Sequence, residues 1–139
     1  MSKKLMHHIT KAFEQSDLRP LLEALDENII WNSATNVKSD DLRFGGSHVG
    51  IEQVKEVLAT IAADYQFRRF HPIEIVENDN IVWGVFDTTI QHTTTKKVVN
   101  FLCALRWRVR NGKLVEHHAF FDTALVLRAS RLAPDRNSN

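Results

Sequence analysis

Apolar residues return every three or four positions along the first half of the chain, and every second position from Phe67 onward. Leu5, Met6, Ile9, Ala12 and Phe13 predict an amphipathic helix of about three turns. Ser16 has the chemistry of an N-cap for a second, short helix, which tolerates Pro20 in its first turn and buries Leu18, Leu21, Leu22 and Leu25. The run "IIWNS", Ile29 to Ser33, predicts a short extended segment. Residues 34–50 are polar, contain glycine and show no period, so they predict a long loop of the kind that often serves as a lid. A third helix follows in "IEQVKEVLATIAADY", with Val54, Val57, Leu58, Ile61 and Tyr65 on one side. The period-two runs "FRRFHPIEIVE", "IVWGVFDTTIQHT", "KVVNFLCALRWRV" and "KLVEHHAFFDTALVL" predict strands. The turn signals "NDN", "TTK" and "RNG" separate them, so sequential antiparallel pairing is expected. The order of elements predicts an α+β fold in one domain, residues 1–129, with three N-terminal helices on one face of an antiparallel sheet. Residues 130–139 are expected to be a frayed tail.

Composition narrows the class. The chain has 139 residues, 43% hydrophobic and 25% charged, with a formal net charge of +1. Its basic residues are spread rather than clustered, which argues against a nucleic-acid partner. Cys103 is the single cysteine, so no intramolecular disulfide can form and a reducing compartment is expected. The N-terminal segment lacks the apolar run of a signal peptide, and no run approaches the roughly 20 apolar residues of a membrane span. A cytoplasmic protein without a membrane role is the expectation.

The stretch "VEHHAFFD", Val115 to Asp122, raises the question of which histidine faces the interior. A two-residue turn at Asn111-Gly112 pairs Arg110 with Lys113 and Arg106 with His117. A three-residue turn pairs Val109 with Lys113. It sets Arg106 opposite Glu116 and Asn100 opposite Asp122, and collects Phe101/Phe121, Cys103/Ala119, Leu105/His117 and Trp107/Val115 on one face. Each such match is worth about 0.2–1 kcal/mol, which favours the three-residue turn. His117 then points inward and His118 outward. Asp122 shares the face of His118 but stands roughly 13 Å along the strand, too far for a His-Asp pair. Leu102, Ala104, His118 and Phe120 make the outward face too apolar to be wet, and a homodimer through that face is expected.

The segments "SDLRPLLEALDENIIW", "GGSHVGIEQVKEVL" and "RNGKLVEHHAFFD", with the element order, resemble the ketosteroid-isomerase and nuclear-transport-factor-2-like superfamily in its polyketide-cyclase (SnoaL-like) branch. The resemblance runs from about Leu5 to Leu127. It implies a curved antiparallel sheet wrapped around the helices as a cone with an apolar pocket, and dimers through the sheet. It does not carry over a mechanism. Where the isomerases place their base, their protonated aspartate and their tyrosine, this chain has Ser33, Cys103 and Ile9. Where the epoxide hydrolases place an arginine and two aspartates, it has Phe86, Thr88 and Ala119.

Strand alternation predicts that Trp31, Ser33, Phe86, Thr88, Cys103, Trp107, His117 and Phe121 point inward. This set has the constitution of a small-molecule site, mostly apolar with a few polar groups. His117 is the candidate general base, since it alone of this set titrates near neutral pH. Cys103, Ser33 and Thr88 would orient a ligand, and Trp31, Phe86, Trp107 and Phe121 would shape the cavity. A lone histidine on an apolar face is more often a hydrogen-bonded core residue than a catalytic one. The histidines lack metal-ligand spacing and no cofactor motif is present, so neither a metal nor a cofactor is expected. Two functions follow: an isomerase, cyclase or lyase acting on an apolar carbonyl compound, or a non-catalytic dimeric domain that binds a ligand or assembles.

Overall fold

The computed structural model describes residues 2–35, 40 and 42–131. The elements run α1 (Ser2–Glu14), α2 (Arg19–Ala24), β1 (Leu25–Ser33), β2 (Gly46–Val49), α3 (Ile51–Asp64), β3 (Tyr65–Asn78), β4 (Ile81–His92), β5 (Val98–Arg110), β6 (Lys113–Phe120) and α4 (Thr123–Ser130). They form the expected α+β fold, a curved, unclosed sheet of six strands in the order β2-β1-β6-β5-β4-β3, with helices against its concave side. Sequential pairing holds from β3 to β6, all antiparallel. At the other end the antiparallel rule is broken once, because β1 pairs with β6 in parallel. Among the described residues, no helix is long and apolar enough to cross a membrane.

The helices dock where the sheet makes room. Gly84 on β4 faces inward, and a Cβ there would stand 2.7 Å from Met6 Sδ and 2.6 Å from Phe86 Cε1. Only a hydrogen at that position lets α1 lie this close to the strand. Met6 and Ile9 of α1, Val54 and Leu58 of α3, and Val82 and Phe86 of β4 are buried together in the core.

Four local expectations are corrected. Ser16 does not cap α2; it ends α1 in a left-handed conformation (φ 65°). There Ser16 N–H donates to Phe13 C=O and Asp17 N–H to Ala12 C=O, the pairing of a Schellman motif. The loop over residues 34–50 contains a strand, β2, paired with β1; residues 36–39 and 41 of that loop lie outside the described residues. The last strand stops at Phe120, and the "TALVL" run is helical, because Asp122 turns the chain and accepts from Leu125 N–H at 3.0 Å as the N-cap of α4. Ser130 therefore belongs to a helix, and residues 132–139 of the expected tail lie outside the described residues.

The fourth correction concerns the hairpin of β5 and β6. Asn111 (φ 52°) and Gly112 (φ 74°) form a two-residue turn with Arg110 opposite Lys113, not the three-residue turn. A bulge follows at Val115: Val109 pairs with Leu114, but Arg108 pairs with Glu116. Leu114 and His117, three residues apart, are consequently both buried. Beyond the bulge Trp107 stands opposite His117 and Leu105 opposite Ala119. The pairs Leu105/His117, Trp107/Val115 and Cys103/Ala119 do not form. Beyond the bulge this ladder is shifted by two residues from the expected one, so each side chain there keeps its face while changing its neighbour; before the bulge Leu114, expected outward, turns into the core. The Asn100/Asp122 pair does not form either, because β6 ends at Phe120 and Asp122 caps α4.

Candidate functional site

A cavity of about 120 Å³ opens between the concave side of the sheet and the helices. Of the expected residues, Trp31, Ser33, Thr88, Cys103, Trp107, His117 and Phe121 line it. Phe86 does not. It lies beneath the wall, stacked on Phe70 with centroids 4.5 Å apart and planes at 5°, in the space that Gly84 leaves for Met6. The helices and the other strands supply walls that strand alternation missed, including Ile9 and Phe13 of α1, Ile61 of α3, Tyr65 of β3 and Val126 of α4. The α1 and α3 residues were visible as helical stripes. Val126 was hidden by reading its helix as strand, although Asp122 just before it is a helix-capping residue type.

His117 is held on two sides. Its ring stacks on Trp31, the parallel neighbour on β1, with centroids 3.6 Å apart and planes at 11°. Its Nδ1 accepts a hydrogen bond of 2.9 Å from the indole N–H of Trp107, the residue directly across the β5–β6 ladder. An indole nitrogen is a donor only, so Nδ1 must be unprotonated and the neutral ring carries its hydrogen on Nε2. Nε2 has no partner among the described residues. Burial, and secondarily the charge of neighbouring His118, push the imidazole down to about 3. This environment favours hydrogen-bond donation over the general-base role expected for His117. A ring that refuses a proton until about pH 3, with one nitrogen occupied and the other already protonated, is a hydrogen-bond donor near neutral pH.

The other polar groups are equally constrained. Burial pushes the Cys103 thiol up to about 12, so it remains a protonated, weak donor and not a nucleophile. Thr88 spends its hydroxyl hydrogen on Phe86 C=O at 3.1 Å and keeps only acceptor capacity. Ser33, buried two residues beyond Trp31 on the same face of β1, has a hydroxyl without a partner among the described residues. Tyr65 OH and Ser130 Oγ hydrogen-bond each other at 2.9 Å, which ties α4 to the start of β3. The described lining residues include no carboxylate, lysine or arginine.

The convex side differs. Leu102, Ala104, His118 and Phe120 share it, as the sequence suggested, together with Trp83. Leu102 is 59% exposed, Phe120 43% and Trp83 40%. Phe120 is sandwiched between His118 (4.1 Å, 15°) and Trp83 (5.8 Å, 22°). Arg106 and Arg108 pair with Glu116, and Arg69 pairs with Asp87, around this strip. Partial burial, and then Arg106, hold His118 below its ordinary range.

Comparison with known proteins places this geometry in a family. An NTF2-like protein of unknown function from Burkholderia pseudomallei superposes with a TM-score of 0.79 at 21% identity, over 93% of this chain and 98% of that one. An NTF2-like protein from Burkholderia thailandensis gives 0.78 at 20%, over 93% and 96%. TerC, co-crystallised with polyporic acid, gives 0.76 at 19%, over 88% and 95%. Identities this low establish the shared fold alone. No curated protein matches the sequence. The sequence profile of the SnoaL-like domain matches residues 6–117, most of the chain. The chain belongs to the SnoaL-like domain family.

Proposed function

We propose that this protein binds one compact, apolar, neutral small molecule, carrying a single oxygen function such as a carbonyl, with that oxygen at the end of the cavity formed by Ser33 and His117. The observation that supports this reading is the combination of an apolar cavity with two polar groups, Ser33 hydroxyl and His117 Nε2, that lack partners among the described residues. Among the described residues the fully buried side-chain atom without a partner is Asn32 Oδ1, whereas Ser33 Oγ and His117 Nε2 keep accessible surface in residues that line the cavity, where a ligand oxygen would meet them. An apolar cavity of about 150 Å³ is known to accept benzene, so about 120 Å³ suits a single ring. TerC, of the same fold, was co-crystallised with an organic compound, polyporic acid, which is consistent with ligand binding by the fold.

Isomerase, cyclase or lyase chemistry at a carbonyl needs a proton acceptor, and neither His117 nor Cys103 is one. The reading is therefore of a binding protein, in which His117 could at most polarise a bound carbonyl. Its single, buried thiol suits a reducing compartment such as the cytoplasm. Titration with cyclohexanone, followed by heteronuclear NMR, is expected to shift resonances of the cavity residues saturably, and Ala119→Leu, which fills the cavity, to abolish the response. Absence of saturable binding by any single-ring probe up to millimolar concentration would end the proposal.

We further infer that a second copy of the chain covers the convex face. Leu102, Phe120 and Trp83 form an exposed apolar strip whose rim carries both signs of charge, Arg69, Arg106 and Arg108 with Asp87 and Glu116. A two-fold axis brings such a strip against itself with each sign able to meet its opposite. Sedimentation is expected to give a dimer for the native protein and a monomer for Leu102→Glu; a native monomer at micromolar concentration would refute the dimer.

A further inference from the structure

What His117 can offer a ligand is decided by Trp107, whose place in the ladder follows from the bulge at Val115. Trp107 is buried, and its indole hydrogen has one destination among the described residues, His117 Nδ1 at 2.9 Å. The imidazole could reverse its offer by turning over, but a turned ring sets a carbon before the indole N–H and leaves a buried donor unpaired. It could also tilt, but the face-to-face stack on Trp31 holds its plane. Neither escape is open without loss. We infer that Trp107, acting through His117, is the specificity-determining residue of the cavity: it makes Nε2 an N–H donor, so that the ligand atom seated there must be a neutral hydrogen-bond acceptor, such as a ketone, aldehyde or ester oxygen.

This rests on the cavity being a binding site. It adds that the site reads the direction of a hydrogen bond as well as ligand size. An ammonium group presented to Nε2 would set donor against donor, with no carboxylate among the described lining residues to receive it. Thr88, which retains only acceptor capacity, offers a ligand donor a place elsewhere in the wall, so the selection applies to the His117 end.

The test uses cyclohexanone and methylenecyclohexane, which share a shape and differ in whether the exocyclic atom accepts a hydrogen bond. The ratio of their dissociation constants is measured by NMR titration on the native protein and on Trp107→Phe, which keeps an aromatic ring and removes the indole N–H. The native ratio is expected to favour the ketone by about twofold more than the variant's, because a ring in tautomer exchange still presents Nε2–H for about half of the time. Nitrogen-15 spectra of His117 in the unliganded native protein provide a readout that needs no variant. They are expected to show a protonated Nε2 and an unprotonated Nδ1, and rapid tautomer exchange in Trp107→Phe. Equal ratios in the two proteins, or a native His117 protonated at Nδ1, would overturn the role of Trp107 while leaving the binding function standing. Failure of both probes to bind the native protein would instead remove the binding function and this inference with it.

Discussion

His117 should make the protein acid-sensitive in a way that can be separated from every other group. Its folded-state value of about 3 lies below the ordinary 6.5 that it regains on unfolding. Between those values the unfolded chain takes up a proton that the folded chain refuses. Stability is therefore unaffected well above pH 6.5, declines as the pH drops below it, and stops declining near 3. The slope is about 1.4 kcal/mol per pH unit, so the loss between pH 7.5 and pH 5 comes to about 2 kcal/mol. Against the 5–15 kcal/mol typical of a domain, roughly, that is a large share.

The assay is urea unfolding at half-unit pH intervals from 7.5 to 4.5, at one protein concentration, for the native protein and His117→Phe. The phenylalanine ring can occupy the stack on Trp31 but cannot titrate. It leaves the Trp107 N–H without an acceptor, a cost that is the same at every pH and so enters as an offset. His118, also shifted down, titrates in both proteins and cancels in the difference. The two stability curves should diverge in slope by about 1.4 kcal/mol per pH unit below pH 6. Parallel curves would mean that the imidazole reaches water or a counter-charge in the folded state, and the donor assignment built on its burial would fall with them.

Two further predictions test the surroundings of the site. Gly84→Ala forces a methyl group to within 2.7 Å of Met6 Sδ and 2.6 Å of the Phe86 ring, both fully buried. It is expected to cost about 1–3 kcal/mol and to lower the melting temperature; an unchanged melting temperature would show that α1 does not bear on β4. Cys103, with its thiol pushed up to about 12, should have about one molecule in ten thousand ionised at pH 8 and so resist iodoacetamide until urea unfolds the chain, whereas prompt alkylation of the native protein would contradict its burial.

The fold was legible because its signals are periodic and cumulative: the stripe through Met6 and Ile9, the stripe through Val54 and Leu58, and the two long alternating strands β4 and β5 each agree with one architecture. What eluded the sequence is local or non-sequential. Ser16 carries an N-cap side chain but ends α1 in the left-handed region, a conformation that its residue type does not announce. Val115 gives no sign that it is a bulge, because it is a β-branched residue that suits a regular strand equally well. The parallel contact of β1 with β6 joins residues about 86 apart, Trp31 and His117, and no turn announces it.

These illegible features make the candidate site. Alternation alone placed His117 inside, and its titration range suggested a base. The pairing of β1 with β6 puts Trp31 flat against it, and the two-residue slip produced by turn and bulge exchanges Leu105 for Trp107 as its cross-strand neighbour. With Leu105 opposite, Nδ1 would have faced an apolar side chain and either nitrogen would have been free to take a proton. With Trp107 opposite, one nitrogen is committed to an indole and the other is left as a donor. The same residue, on the same face, passes from proton acceptor to hydrogen-bond donor through a change of neighbour that strand parity cannot detect. Face assignments from alternation can locate a polar group in a cavity, but its chemistry is set by the side chain across the ladder.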